Sequence, residues 1–248
     1  MNYSWDWAIF FQPSVTGEGL YGVLLAEGVL WTVSLSLLSW ILALALGTLM
    51  GIARASDSTA ARWASAIYVH CFRNTPLLVQ LFLWYFVLPE LLPIQWGEAI
   101  KQMNPTLNQF LSVVICLTLY TTAGVAEQVR TGLQSLSGGQ ANAAKAIGLG
   151  PWAAQRYVLL PQAFRIILPS MTSDFMNVFK NSAAALTIGL MELTGQSRQV
   201  SEFSGHPFES FIAATLIYMV ITYGVVIFMR RLEKSLTVPG LITAGIVH

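Results

Sequence analysis

The sequence is poor in charge and in the residues that most enzymes use for chemistry. Only 10% of its 248 residues are charged, the net charge is +1, and there are three histidines and two cysteines. Near-zero net charge argues against nucleic acid as a partner, because nucleic-acid-binding surfaces carry an excess of lysine and arginine. Cys71 and Cys116 have no metal-ligand pattern beside them, so we predict two small buried apolar residues and no metal site.

The sequence also lacks the short motifs of common hydrolases and nucleotide-binding proteins. It contains no GxxxxGK[ST] phosphate loop, no HExxH and no GxSxG. The chain therefore cannot bind and hydrolyse ATP through a phosphate loop of its own, and hydrolytic or redox catalysis has no support. We predict no catalytic residue and no bound cofactor, which leaves transport or a scaffolding role.

What the chain does contain is apolar length, with 55% hydrophobic residues and a mean hydropathy of +0.61. Three charge-free stretches are each long enough to cross a hydrocarbon core of ~30 Å at ~1.5 Å per residue. They are residues 28–53, 102–126 and 210–229. Two further stretches, 63–89 and 162–191, have similar length but are interrupted by charged residues. We predict an all-α integral membrane protein with five transmembrane helices.

The basic residues alternate between the loops. Nine Lys and Arg residues fall in one set of segments, 54–62, 127–165 and 230–248, and two fall in the other, 1–27, 90–101 and 192–209. The positive-inside rule then places the N-terminus outside and the C-terminus in the cytoplasm. We expect an external N-terminal segment (1–27), a transmembrane domain (28–235) and a cytoplasmic C-terminal tail (236–248).

The N-terminal segment has no basic residue before Arg54, so it does not read as a cleaved signal peptide. We interpret its aromatic residues as anchors at the outer membrane interface. They are Trp5, Trp7, Phe10 and Phe11.

A polar, alanine-rich segment at about 137–161 lies inside this apolar sequence. Its alanines favour helix, whereas Gly148, Gly150 and Pro151 interrupt it, which predicts two short helices meeting at a bend. Pro151 suits the first turn of the second helix, and Pro161 the start of the next span. Two interpretations fit the composition: a knob that docks into a groove of another protein, or an amphipathic helix on the inner leaflet.

The spacing of this segment resembles the EAA loop of ABC-importer permeases. The matching positions are Asn142-Ala143-Ala144, Gly148, Val158 and Leu160-Pro161. Two further runs, Phe72 to Gln80 and Tyr120 to Arg130, resemble those of the polar amino acid branch, so the resemblance covers roughly residues 28–235.

This resemblance implies the type I importer permease fold in a bacterial cytoplasmic (inner) membrane, with the loop as a cytoplasmic coupling helix. The implied partners are a cytoplasmic ATPase subunit that holds ATP and Mg, a second permease chain that is a homologue or a copy of this one, an external amino acid binding protein and the lipid bilayer. The permease would perform no covalent chemistry.

One position departs from the motif, since Asn142 stands where the family usually has glutamate. Any salt bridge of that glutamate is lost, and an asparagine in an N-cap-like role could still end the helix. Asn142 and the opening Trp5-Asp6-Trp7 resemble the glutamate/aspartate branch. The resemblance thus points to glutamate or aspartate as substrate.

Polar residues within the apolar stretches are costly and mark candidate functional positions. Arg73, Asn74 and Thr75 precede Pro76, which disfavours helix at that point and predicts a break. A half-helix that starts near Pro76 would point free N–H groups inward, towards a substrate carboxylate. Alternatively, Arg73 pairs with a carboxylate or extends to the membrane surface.

A second polar set follows in the stretch 162–191. Asp174, Asn177 and Asn181 recur at helical spacing, so they share one face that we expect to line the translocation path or a partner interface. Lys180 either neutralises a substrate carboxylate or pairs with Glu127 or Asp174. The Lys-Asn-Ser run, similar to a Lys-Asn-Thr-Ser run in related permeases, makes Asn181 and Ser182 candidates for substrate hydrogen bonds.

Glu127 and Arg130 lie one helical step apart, which predicts a local ion pair or a functional one. An ion-coupled secondary amino acid transporter is the alternative function, with Arg73, Asp174 and Lys180 as relay groups. The small number of spans, the lack of an evident inverted repeat and the long polar loop argue against it.

Overall fold

The computed structural model describes residues 3–15, 17 and 19–236, and within them every regular element is a helix. The helices are α1 (Tyr21–Ala55), α2 (Thr59–Asn74), α3 (Leu77–Phe82), α4 (Leu88–Leu91), α5 (Ile94–Lys101), α6 (Pro105–Ser135), α7 (Gly138–Ala146), α8 (Pro151–Ala154), α9 (Leu160–Asn181), α10 (Leu193–Ser204) and α11 (Pro207–Leu236). Of the predicted C-terminal tail only Leu236 lies inside the described residues.

Three helices are long and apolar enough to cross a membrane. They are α1, α6 and α11, with 35, 31 and 30 residues. Helices α1 and α11 contain the stretches 28–53 and 210–229, and α6 contains all but the first three residues of 102–126, so those predictions are confirmed. Asn104 begins α6 because its side chain accepts a hydrogen bond from the backbone of Leu107 at 3.2 Å, and Pro105 follows in the first turn.

The predicted span at 63–89 is broken as the Thr75–Pro76 sequence indicates. Helix α2 ends at Asn74, α3 begins at Leu77, and the two segments meet at 105°. The Gln80 amide closes this break, since its nitrogen donates to the Phe72 and Thr75 carbonyl oxygens at 2.9 Å each. Counted as one bent span, this pair is the fourth.

The fifth predicted span, 162–191, differs from the expectation. Helix α9 ends at Asn181, a 3-10 helix follows over Ser182–Ile188, and α9 is not among the helices apolar enough to span a membrane on composition alone. Pro161 lies in the first turn of α9, where the sequence predicts the start of this span. A π turn at Gln155–Leu159 connects α9 to α8, which begins at Pro151.

Close packing of α1 on α6 forms the centre of the bundle. Gly47 and Gly51 permit it, because a Cβ atom at either would lie 2.6 Å from the side chain of Val125 or Val129. Helix α9 packs against α1, α6 and α11 and buries one apolar face. Cys116 is buried as predicted, whereas Cys71 is exposed on α2, so that part of the cysteine prediction is wrong.

The N-terminal segment folds back onto the start of α11. Residues Trp7–Phe11 form a 3-10 helix, and the fully buried Glu209 carboxylate accepts hydrogen bonds from the Tyr3 hydroxyl and from the Asp6 backbone at 2.7 Å. The side chains of Trp5, Trp7 and Phe11 remain 47–79% exposed, as an interfacial anchor requires.

Candidate functional site

A polar cavity of about 510 Å³ lies between α2, α6 and α9. Its lining residues are Arg73, Tyr120, Thr121, Gly124, Asp174, Asn177 and Asn181. Four of these seven were predicted from the sequence, and they come from two stretches a hundred residues apart in the chain. The shared face of Asp174, Asn177 and Asn181 is therefore confirmed.

The Asp174 carboxylate is held in place from α6. The Gln128 side-chain nitrogen donates to Asp174 Oδ2 at 2.5 Å, and the Ser170 hydroxyl donates to the Gln128 oxygen at 3.1 Å. Gly124 makes this approach possible, since a Cβ atom there would lie 3.2 Å from Asp174 Oδ2. The cavity thus contains a fixed acceptor beside the Arg73 guanidinium, and it can hydrogen-bond both an ammonium group and a carboxylate.

The other predicted path residues lie outside this cavity. Thr75 donates its hydroxyl to the Cys71 carbonyl at 2.9 Å, and buried Ser182 donates to the Phe179 carbonyl at 2.7 Å, so both hydroxyls serve their own helices. Asn74 lines a neighbouring cavity with Arg54 and Glu127.

Lys180 is exposed and does not line the polar cavity. Within the described part of the chain it forms no ion pair with Glu127 or Asp174, so the predicted pair is wrong. At about 100° per residue, Lys180 lies roughly 100° around α9 from Asn181, beyond the edge of the face that Asp174, Asn177 and Asn181 share.

Glu127 takes arginine partners instead. It forms the predicted local ion pair with Arg130, and Arg54 Nη2 lies 2.9 Å from its Oε2 atom. The link to Arg54 joins α1 to α6 and was not predicted.

Sequence reasoning missed the α6 wall of the polar cavity, because Tyr120, Thr121 and Gly124 are uncharged and lie within an apolar helix. The available signal was the i, i+4 spacing of Tyr120 and Gly124 and the i, i+3 spacing of Thr121 and Gly124, which makes both side chains neighbours of Gly124 on the surface of α6.

The segment 137–161 forms the two short helices predicted for it, with a bend between them. Gly148 makes that bend at a φ of +81°, in the left-handed region that glycine tolerates best. Asn142 is not an N-cap: it is exposed in the middle of α7, and Ser137 occupies the N-cap position.

The surface of this segment is more apolar than its alanines suggest. Ala144 is buried against the bundle, whereas Asn142 and Ala143 are exposed. Three large apolar residues on either side of the bend are also exposed, each with 60–75% of its surface accessible. They are Ile147, Trp152 and Tyr157. Exposed apolar groups clustered on one polar segment are typical of a contact with another protein or with lipid.

Comparison with known proteins places these features in a family. Residues 43–238 match the family described as binding-protein-dependent transport system inner membrane component. A glutamate/aspartate import permease protein of Escherichia coli, GltJ, is 43% identical over 241 residues, which cover 97% of this chain and 98% of that protein. A probable glutamine ABC transporter permease protein of Bacillus subtilis, GlnM, is 33% identical over 208 residues, with coverage of 81% and 91%.

A solved structure described as the crystal structure of an amino acid ABC transporter with histidines superimposes with a TM-score of 0.72 at 30% identity. The superposition covers 87% of this chain and 95% of that one. The likeness therefore extends over the whole helical bundle.

Proposed function

The chain belongs to the family of inner membrane components of binding-protein-dependent transport systems, and we propose that it is the permease subunit of an ATP-driven importer for glutamate and aspartate. Its relative from Escherichia coli carries that substrate in its name, whereas the Bacillus subtilis relative carries glutamine. The substrate therefore has to be argued from this chain's own polar cavity.

The single observation that carries the proposal is the pairing of Arg73 with Asp174, Asn177 and Asn181 in one cavity. A guanidinium binds a carboxylate through parallel hydrogen bonds, and Asp174 is suited to the substrate ammonium. We assign Arg73, the one cation in this lining, to the side-chain carboxylate of the substrate, a position that disfavours a basic side chain.

Translocation proceeds by alternating access of this cavity to the two sides of the membrane. In this scheme α9 is the fifth span, because it lies inside the bundle and its polar face needs no contact with lipid. The N-terminus lies outside and the C-terminus in the cytoplasm, as the basic loops require. Arg73 and Asn177 are exposed in the single chain, so a second permease chain completes the path.

The driving force comes from a separate cytoplasmic ATPase that carries ATP and Mg, and an external binding protein delivers the amino acid. The coupling element is the segment 137–161, and its contact residues include the exposed Ile147 and Trp152. The motif positions are Asn142, Ala143, Ala144, Gly148, Val158, Leu160 and Pro161.

The test is uptake of labelled L-glutamate into vesicles that hold the complete importer, with ATP enclosed and ion gradients dissipated. We expect uptake that requires ATP and the binding protein. Uptake that persists without ATP and collapses with an ion gradient would establish the ion-coupled alternative instead. Uptake of glutamine with no uptake of glutamate would overturn the substrate and leave the importer function.

A further inference from the structure

A second polar cavity, of about 320 Å³, adjoins the polar cavity between α1, α2 and α6. We call it the arginine cavity. Its lining residues are Arg54, Val69, His70, Arg73, Asn74 and Glu127. Arg73 lines both cavities, and Gly124 and Glu127 are three residues apart on α6, a rise of roughly 4.5 Å. The two cavities are therefore consecutive positions along one path.

Basic groups outnumber the carboxylate at this second position. Two guanidinium groups, those of Arg54 and Arg73, and one carboxylate, that of Glu127, line the cavity, and Glu127 also pairs with Arg130 outside the lining. Such an excess of positive charge in a partly buried cavity favours an additional anion.

The Arg54–Glu127 pair is incompletely hydrogen-bonded. The Arg54 side chain is 12% exposed, and its Nη2 atom lies 2.9 Å from Glu127 Oε2. Among the described residues, that oxygen and the buried Nε and Nη1 atoms of Arg54 have no hydrogen-bond partner. An ion pair without good hydrogen-bond geometry recovers only part of the cost of burying its charges, so another carboxylate can replace Glu127 at Nη2.

The end of α1 that carries Arg54 also faces the coupling segment. Ile52 and Ala55 line another cavity together with Ala141 and Lys145 of α7. The cytoplasmic end of α1 in the proposed topology therefore faces α7 across that cavity. This places the arginine cavity on the side of the path where the substrate leaves.

We propose that the arginine cavity is a second binding station for an anionic amino acid, in which the side-chain carboxylate of the substrate takes the place of Glu127 at Nη2 of Arg54, so that Glu127 and the substrate compete for that guanidinium. Glu127 holds the arginines in position when the station is empty, and its return to Arg54 displaces the substrate. The inference rests on the proposed function, since it concerns the same path and an anionic substrate.

The test uses Glu127→Gln in the complete importer in nanodiscs, without binding protein, with labelled L-glutamate and L-glutamine as probes. Removing the competing carboxylate should raise the affinity for glutamate about tenfold and slow its release, because one charge-assisted hydrogen-bond pair is gained. Affinity for glutamine should change by less than about twofold, since its amide gains little from a guanidinium. The matched control Glu202→Gln, in the exposed pair with Arg198, should leave both affinities unchanged.

Arg54→Gln supplies an independent variant in case Glu127→Gln does not assemble. It should reduce the rate of glutamate uptake at least about tenfold more than the rate of glutamine uptake. Equal effects on both amino acids would overturn the second station. So would loss of the second permease chain during purification of either variant, because the arginines would then belong to a subunit contact.

Different results would contradict the proposed function and the second binding station. Wild-type vesicles that take up no glutamate contradict the proposed function. Wild-type uptake of glutamate combined with unchanged glutamate affinity in Glu127→Gln contradicts the second station alone.

Discussion

Gly124 and Asp174 approach each other so closely across α6 and α9 that a Cβ atom on Gly124 would lie 3.2 Å from Asp174 Oδ2. The contact joins the one acidic residue of the polar cavity to the wall that α6 contributes, and a side chain on Gly124 would crowd the Asp174 carboxylate. The glycine therefore helps to set the shape of the cavity.

Gly124→Val should lower the rate of glutamate uptake at least about tenfold, because its methyl groups displace Asp174 from Gln128 and fill part of the cavity. Initial uptake rates in vesicles measure the effect. Gly224→Val is the control, since no atom of the described residues beyond its own turns of helix lies within 4 Å of a Cβ there. Equal losses in the two variants would show that a β-branched residue in a helix, and not the cavity, is responsible.

Arg73→Gln should change the substrate preference more than the maximal rate. Without the guanidinium, glutamate loses a charged hydrogen-bond pair worth about 1.5–3 kcal/mol of binding free energy. The preference for glutamate over glutamine should therefore fall at least about tenfold. Competition between the two labelled amino acids measures that ratio. Arg198→Gln, which removes an exposed arginine paired with Glu202, should leave the ratio unaltered. An unaltered ratio in Arg73→Gln would remove Arg73 from substrate recognition.

The parts of the fold that sequence predicts well are those with a local cause. Pro76 breaks the second span whatever the tertiary contacts are, because it lacks a backbone N–H donor. Gly148 and Pro151 interrupt the coupling segment for similarly local reasons, and the charge-free stretches need only be long and apolar.

What escaped prediction depends on contacts between distant parts of the chain. Gln128 reaches Asp174 across 46 residues, and Arg54 reaches Glu127 only because Gly47 and Gly51 let α1 pack closely on α6. The position of Lys180 outside the cavity follows from the rotation of α9, which its burial against three helices fixes and its own sequence does not.

Tyr3→Phe should release the N-terminal segment from α11, since the Tyr3 hydroxyl donates to the buried Glu209 carboxylate. Burial and the neighbouring Glu209 raise the pKa of Tyr3 from 10.0 to about 12. The stabilisation from this hydroxyl is therefore fully present below pH 10.0 and is lost as the pH rises through about 12. Hydrogen exchange of the Asp6 and Ala8 amides measures it.

In the wild-type chain, protection of these amides, corrected for the intrinsic exchange rate, should stay constant from neutral pH to about the ordinary tyrosine pKa. Tyr3→Phe should lower it throughout that range. Tyr21→Phe, on the first turn of α1, is the comparison variant, because that residue makes no contact with Glu209 among the hydrogen bonds of the described residues. Protection that is the same in Tyr3→Phe and the wild type would exclude the Tyr3–Glu209 bond as the anchor.

The bend of the coupling segment offers a matched pair of glycines. Gly148→Ala forces a Cβ atom into a backbone with φ of +81°, at a cost of about 1–2 kcal/mol, whereas Gly150 has a φ of −64° that alanine adopts freely. At neither position would a Cβ meet another atom of the described residues within 4 Å, so the variants differ in backbone strain and not in crowding.

Gly148→Ala should weaken co-purification of the ATPase and lower ATP-dependent uptake. Gly148→Asp should abolish attachment of the ATPase while membrane insertion of the permease persists. Gly150→Ala should behave as the wild type. If Gly148→Asp retained both the ATPase and transport, the bend would not be the coupling contact.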